Sequence, residues 1–167
     1  MQNLAIILLE YAHLAKEKKL SRLVTCQNPQ EALALFQKKQ GLIFFCAHLA
    51  NWETLFLDGN RRMRGIAMGK PIKNPRLYQW IVAVREKTGG TIVHPKNAIK
   101  ASLKALKKGL FVGIVGDQGM PEADFSMPFF GRKAWTSPMP AILAYKTNTP
   151  IIVPITRREK NGYIIHY

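Results

Sequence analysis

The sequence predicts an α/β fold with a mostly parallel central sheet that helices cover on both faces. Short apolar, strand-like segments alternate with amphipathic, helix-like segments along the chain, and a helix between successive strands is the usual connection in a parallel sheet. Three helix-like segments are preceded by Asn-Pro or Ser-Pro, a pair that favours a helix start. The length of 167 residues and the hydrophobic content of 47% fit a single domain over residues 1–167.

The elements can be assigned in order from these patterns. The predicted strands are uninterrupted apolar runs, as in strands buried on both faces, at residues 23–26, 41–47, 65–69, 91–93, 110–115, 150–155 and 163–167. Helices are predicted over residues 4–19, from 29 to 38, from the corner after residue 48 to about 60, from 75 to 89, over 97–108 and after 138. The first helix begins without a cap and the last strand ends without a covering element, so we expect a chain truncated at both ends.

The net charge of +15, from 25 basic and 10 acidic residues, attracts polyanions such as nucleic acid, an anionic membrane or an acidic protein. The lysine-rich segment 100–108 is typical of a solvated helix face. A nucleic-acid stacking platform interleaves aromatic and basic residues. Here the aromatics occupy core-like or motif positions, so we expect no nucleic-acid partner: Phe44, Phe45, Trp52, Phe129 and Phe130.

The two cysteines and the apolar segments bear on the compartment. No segment approaches the roughly 20 apolar residues that span a bilayer. Cys26 and Cys46 lie in apolar strand-like segments and lack the paired spacing of a metal site, and this usage is typical of a reducing, cytosol-facing compartment. Cys46 lies two residues before His48, so a Cys–His nucleophile is an alternative, although a cysteine inside a strand usually only packs.

The most informative segment runs from His48 to Glu53, directly behind the apolar run 41–47. Strand–turn–helix corners of this kind often carry the sites of open α/β sheets. A neutral imidazole is a competent general base, and a carboxylate on its other nitrogen fixes the tautomer. Glu53 can be that carboxylate if His48 lies in the turn and Glu53 in the first helical turn. The alternative is a core histidine with Glu53 on a solvated face.

Further polar residues follow other predicted elements. Asp117 and Gln118 follow the strand 110–115, and because adjacent parallel strands end at the same edge, Asp117 can approach His48 and orient a basic side chain or hold substrate. Arg85 continues the apolar stripe of its helix, where it can extend to solvent or hold a phosphate or carboxylate. Gly131 permits close backbone approach, and the helix start after Thr136 favours an anionic group.

Together these elements closely resemble the lipid A biosynthesis acyltransferases, the lauroyl/myristoyl transferases of the glycerolipid-type acyltransferase superfamily. The resemblance extends from about Gly41 to the end and is carried by His48-x-x-Asn51-Trp52-Glu53, Asn74-Pro75 with Arg85, Gly116-Asp117-Gln118, Phe129-Phe130-Gly131 with Thr136, and Val153-Pro154. The His-x4-acid spacing belongs to the wider superfamily, whereas the Asn-Trp-Glu, Asp-Gln and Phe-Phe-Gly elements point to this branch. Ala50 stands where the family commonly has Gly, a change that we expect the turn to tolerate.

The resemblance implies acyl transfer from acyl-acyl carrier protein to a hydroxyl of a lipid A precursor, at the cytoplasmic face of the cell inner membrane. It implies His48 as general base with Glu53 orienting it, and no metal or other cofactor. The substrate-binding residues that it implies are Asn51, Arg85, Asp117, Gln118, Phe130, Gly131 and Thr136. The partners would be acyl carrier protein, an anionic glycolipid and the membrane surface. The alternatives are a lysophospholipid or glycerol-phosphate acyltransferase that uses the same base, or a non-enzymatic basic membrane-binding fragment.

Overall fold

A computed structural model of the chain describes residues 2–14, 17–38, 40–119 and 125–167. The helices are α1 (Gln2–Leu14), α2 (Glu17–Leu23), α3 (Gln30–Gln37), α4 (Glu53–Arg62), α5 (Pro75–Glu86), α6 (Ala98–Lys107) and α7 (Met139–Thr147). The strands are β1 (Val24–Gln27), β2 (Leu42–Cys46), β3 (Gly65–Met68), β4 (Thr91–Val93), β5 (Phe111–Val115), β6 (Ser126–Phe129), β7 (Arg132–Trp135), β8 (Ile151–Ile152), β9 (Ile155–Glu159) and β10 (Gly162–His166). Among these residues no helix is long and apolar enough to cross a membrane.

The central sheet has five strands in the order β4-β3-β5-β2-β8, and all of its pairs are parallel. Side chains alternate between its faces. Ile43 of β2 packs with α6 and α7 residues in one apolar cluster, whereas Leu42 and Phe44 pack with α3 residues in another. Helices therefore cover both faces, which confirms the predicted α/β class.

The sequence signals place some element boundaries correctly and others wrongly. Asn74 caps α5, because its side-chain oxygen accepts a hydrogen bond from the backbone N–H of Leu77 at 3.1 Å. At α3 the prediction of an Asn28 cap is wrong: Asn28 has a φ of 54°, and Pro29 precedes the first helical residue without a side-chain cap. The region predicted as one helix over residues 4–19 holds α1 and the start of α2, and residues 15 and 16 lie outside the described part.

The strand predicted over residues 150–155 is wrong in its extent. Two residues form β8 in the central sheet, and the chain then leaves it at Val153-Pro154. Proline has no N–H to donate to a sheet, so it favours such an exit. The next strand, β9, pairs antiparallel with β10, and β10 pairs parallel with β1, so that a smaller mixed sheet forms beside the central one.

The sequence analysis also missed the hairpin of β6 and β7. Phe129 pairs with Arg132, so only Phe130 and Gly131 form the connection. Both connecting residues have positive φ, 47° and 74°, as the two-residue turns that join antiparallel strands require. The glycine between two short segments was a signal for a turn. Pro128 disfavours a strand, however, so the pattern did not predict a hairpin.

Candidate active site

The carboxyl ends of β2 and β5 position the candidate site. The two strands are in register to their ends, where Cys46 lies opposite Val115. One further hydrogen bond, from the backbone N–H of Gly116 to the carbonyl oxygen of Cys46 at 3.1 Å, extends the pairing. A side chain at position 116 would collide with the ring of Phe45, so only glycine lets the chain stay close here. Two residues beyond each strand, His48 and Asp117 therefore face one another.

His48 and Asp117 form a doubly hydrogen-bonded pair. Nδ1 of His48 lies 2.6 Å from Oδ1 of Asp117, and the backbone N–H of His48 donates to Oδ2 at 3.0 Å. A carboxylate at Nδ1 holds the proton on that nitrogen and leaves the lone pair of Nε2 to act as acceptor. Both side chains are partly exposed, 29% for His48 and 37% for Asp117, so a substrate can reach the pair. The prediction that Asp117 approaches His48 is confirmed.

The surroundings of the pair fix its geometry and charge. Burial would raise the pKa of Asp117, but the hydrogen bonds from the ring and backbone of His48 outweigh it and hold this pKa below its usual value. The indole of Trp52 meets the imidazole edge-on, with ring centroids 4.5 Å apart. The imidazole is thus held by a carboxylate at one nitrogen and by an aromatic ring at its edge.

Glu53 occupies a different position from the one expected. It does begin α4, but its carboxylate is almost fully buried and accepts two hydrogen bonds from Arg85, one from Nη2 at 2.5 Å and one from Nε at 3.0 Å. The Tyr11 hydroxyl donates a third, at 3.4 Å. Asp117, not Glu53, hydrogen-bonds His48, which corrects the prediction that Glu53 orients the imidazole. The physical reason is that the bidentate guanidinium pair holds the Glu53 carboxylate inside the protein.

Arg85 and Tyr11 are both adapted to this buried carboxylate. Burial lowers the pKa of Arg85, but hydrogen bonding and attraction to Glu53 more than reverse this and raise it above the usual value. Burial and the charge of Glu53 raise the pKa of Tyr11. The sequence left two roles open for Arg85, which could extend to solvent or hold a phosphate or carboxylate. The structure shows that Arg85 holds a carboxylate, and this carboxylate is the side chain of Glu53.

Asn51 lies behind the site rather than on its surface. Its side chain is fully buried and donates to Glu10 at 3.0 Å and to the Tyr163 hydroxyl at 3.3 Å. The predicted contact of Asn51 with substrate stays a prediction, and this position favours a supporting role. Ala50, next to it, has a φ of 44°, in the left-handed region that glycine adopts most easily. That conformation explains why glycine suits this turn.

The remaining predicted residues lie on the exposed side. Gln118 is exposed directly after Asp117. Phe130 and Gly131 form the hairpin turn, where Phe130 is 91% exposed. Thr136 is half-buried, and its backbone N–H donates to the carbonyl of Phe125 at 3.1 Å, whereas the Ser137 hydroxyl accepts from the backbone N–H of Met139 at the start of α7. Their substrate contacts stay predictions.

The Cys46–His48 nucleophile is not supported. Cys46 is buried, and its thiol donates to the carbonyl of Ile114 at 3.6 Å. Burial, together with the negative charges of Asp117 and Glu53, raises the pKa of this thiol to about 12. A thiol with such a pKa stays protonated near neutrality and is a poor nucleophile. Among residues 2–14, 17–38, 40–119 and 125–167, no cluster of three or more His, Cys, Asp or Glu side chains could hold a metal.

Comparison with known proteins adds one positive finding. The model of a family described as bacterial lipid A biosynthesis acyltransferase matches residues 1–167, the whole chain. A search of curated proteins finds no match.

Proposed function

The chain belongs to the bacterial lipid A biosynthesis acyltransferases, a family of enzymes that transfer acyl groups, and we propose that His48 is the general base of this transfer. The hydrogen bond between Nδ1 of His48 and Asp117, 2.6 Å long, is the observation that carries the proposal. It holds the imidazole in the tautomer in which Nε2 accepts a proton. Asp117 takes the orienting role that the sequence analysis gave to Glu53.

The proposed reaction needs an alcohol and an activated acyl group. Nε2 of His48 takes the proton of an acceptor hydroxyl as its oxygen attacks the carbonyl carbon of a thioester. The C–S bond then breaks, and the imidazolium returns the proton to the thiolate, which leaves an ester and a free thiol. Asp117 stabilises the imidazolium while it exists. The thioester is already activated, so the proposal includes no cofactor.

We assign the donor to acyl-acyl carrier protein and the acceptor to a lipid A precursor, an anionic glycolipid. The charge of +15 supports both, because it attracts an acidic carrier protein and a phosphorylated lipid. The developing oxyanion needs hydrogen-bond donors, and the exposed amide of Gln118, next to Asp117, is the side chain that we assign to it. The reaction would take place at the membrane surface, at the cytoplasmic face of the inner membrane.

His48→Ala tests the base directly. We expect transfer from acyl-acyl carrier protein to a lipid A precursor to fall about 10²–10⁴-fold, the usual contribution of a general base. The matched control is His13→Ala, which removes an exposed histidine on α1 and should leave the rate unchanged.

A lysophospholipid acceptor assayed in parallel tests the substrate. Transfer to the lysophospholipid alone would keep the base and replace the acceptor. Near-normal transfer by His48→Ala would contradict the proposed role of His48, and the absence of transfer to either acceptor by the unaltered protein would contradict the proposed activity.

A further inference from the structure

The β6–β7 hairpin presents apolar side chains to solvent in a graded way. Exposure rises toward the turn, from 42% at Phe125 through 51% at Met127 and 63% at Phe129 to 91% at Phe130. The rings of Phe129 and Phe130 contact each other edge-to-face, with centroids 4.6 Å apart. The two rings therefore form one apolar tip, which we call the phenylalanine tip. Large apolar side chains grouped in this way mark an interaction site.

The turn itself is unfavourable for phenylalanine. Phe130 has a φ of 47°, a conformation that costs a bulky L-residue energy and that Asn or Gly adopts far more readily. Asn-Gly would be the stable choice for a two-residue hairpin turn. A ring held at such a position, exposed and without a contribution to the core, points to a function outside the protein.

Charge and position indicate what the tip contacts. Arg132 and Lys133 follow the turn directly, and residues 125–136 contain no acidic side chain. The base of the hairpin lies beside the candidate site, since Gly119, two residues after Asp117, approaches the backbone of Trp135. Rings at the tip with cations just behind them match the apolar interface and the anionic headgroups of a bilayer.

We propose that the phenylalanine tip inserts into the interface of an anionic bilayer while Arg132 and Lys133 bind lipid phosphates. The hairpin would thereby bring the His48–Asp117 edge of the sheet to the membrane surface. This inference deepens the proposed function, since it rests on an acceptor that resides in the membrane. The insertion itself can be measured without donor or acceptor.

Phe130→Asn is the decisive variant, because it removes the ring and creates the favoured Asn-Gly turn. We expect its partition onto vesicles of phosphatidylglycerol and phosphatidylethanolamine to weaken roughly tenfold or more in a sedimentation assay. Tyr145→Asn on α7 is the matched control, since Tyr145 is 92% exposed, and it should bind as the unaltered protein does. Equal partition of all three proteins, or equal losses in both variants, would overturn the proposal.

The cations are tested with a pair of double variants of equal charge. Arg132→Gln with Lys133→Gln should weaken partition roughly thirtyfold, since each basic residue near an anionic surface contributes about fivefold, or about 1 kcal/mol. Lys100→Gln with Lys104→Gln on α6 makes the same change elsewhere and should have a much smaller effect. Equal losses in the two double variants would mean that net charge alone holds the protein on the membrane, against the proposal.

The depth of the tip can be observed separately. In Phe130→Trp the new indole should be quenched by brominated lipid tails beyond the quenching of the unaltered protein, and vesicles of phosphatidylcholine alone should give less quenching. No added quenching in anionic vesicles would contradict insertion. His48→Ala should partition like the unaltered protein, so loss of transfer and loss of membrane insertion are distinguishable.

Discussion

Asp117 and Glu53 are two carboxylates that follow neighbouring strands, β5 and β2, and they differ in exposure and in hydrogen-bond partners. Asp117 is partly exposed at a strand end and faces an imidazole. Glu53 is buried at a helix start and accepts hydrogen bonds from a guanidinium and a phenol. The Asp117 carboxylate can stabilise a positive charge that forms on the imidazole during a reaction and is then lost. The Glu53 carboxylate instead balances the permanent charge of the Arg85 guanidinium.

The two ends of the His48–Glu53 motif therefore differ in their proposed roles, since His48 is the proposed base and Glu53 a structural residue. The His-x4-acid spacing suggests that its two ends act together, yet the carboxylate that hydrogen-bonds His48 comes from the neighbouring strand. Glu53, through Arg85, ties the start of α4 to α5 and, through Tyr11, to α1. We infer that Glu53 is a positioning residue, which keeps the turn with His48 in place by fixing the helix that follows it.

Asp117→Asn should have the largest effect on the rate. An asparagine cannot stabilise the imidazolium and can hold the ring in the wrong tautomer, so transfer should fall about 10²–10⁴-fold. Because the pair is partly exposed, stability should change by less than about 1 kcal/mol. Steady-state rates and urea unfolding measure the two quantities, and a normal rate would remove Asp117 from the mechanism.

Glu53→Gln should act on stability instead. It leaves the Arg85 charge without its carboxylate, and we expect the free energy of unfolding to fall by about 3 kcal/mol. This is the lower end of the range for a broken buried pair, because 23% of the Arg85 side chain is exposed. Glu159→Gln, which breaks an exposed pair with Arg157, is the matched control and should cost less than about 1 kcal/mol.

The transfer rate of Glu53→Gln distinguishes between a carboxylate that assists the general base and one that only positions the turn. Measured well below its unfolding transition and per folded molecule, transfer should stay within about tenfold of normal, far from the loss expected of a general-base partner. If Glu53→Gln instead lost transfer at unchanged stability, the separation of the two carboxylates drawn above would be wrong.

A smaller effect, on the free energy of unfolding, is expected at acidic pH. The pKa of Asp117 is lowered in the folded protein from its usual 3.8, so its bonds stabilise the fold above that pH, and this contribution is lost as the pH falls through the lower, folded value. The difference in unfolding free energy between the unaltered protein and Asp117→Asn should therefore shrink below about pH 3.8. A carbon NMR titration of the carboxyl group checks the direction independently, and a midpoint above 3.8 would contradict it.

Sequence reasoning was most successful where one local signal decides the outcome. The buried strands β2 and β5 were recognisable as uninterrupted apolar runs. From them followed the parallel pairing, and with it the approach of Asp117 to His48. A cap such as Asn74 placed α5 for the same reason, since the side chain and its backbone partner are three residues apart.

Sequence reasoning failed where a residue far along the chain determines the partner of a side chain. The Glu53 carboxylate binds Arg85 of α5, 32 residues further along the chain, instead of His48. The sequence marks neither the long-range pair of Arg85 with Glu53 nor the choice between two carboxylates. The hairpin was missed because Pro128 and an apolar turn contradict the usual strand and turn composition, and departures of that kind tend to occur at functional sites.

The pairing of β1 with β10 has a consequence for how the molecule is made. Val24 lies beside Tyr163, 139 positions further along the chain, so β1 has no partner in its sheet until β10 has been synthesised. Asn51, in the turn after His48, also depends on the hydroxyl of Tyr163 as a hydrogen-bond partner. Contacts of such sequence separation slow folding. The hydrogen bond that supports the turn after His48 therefore forms only once β10 is available to pair with β1.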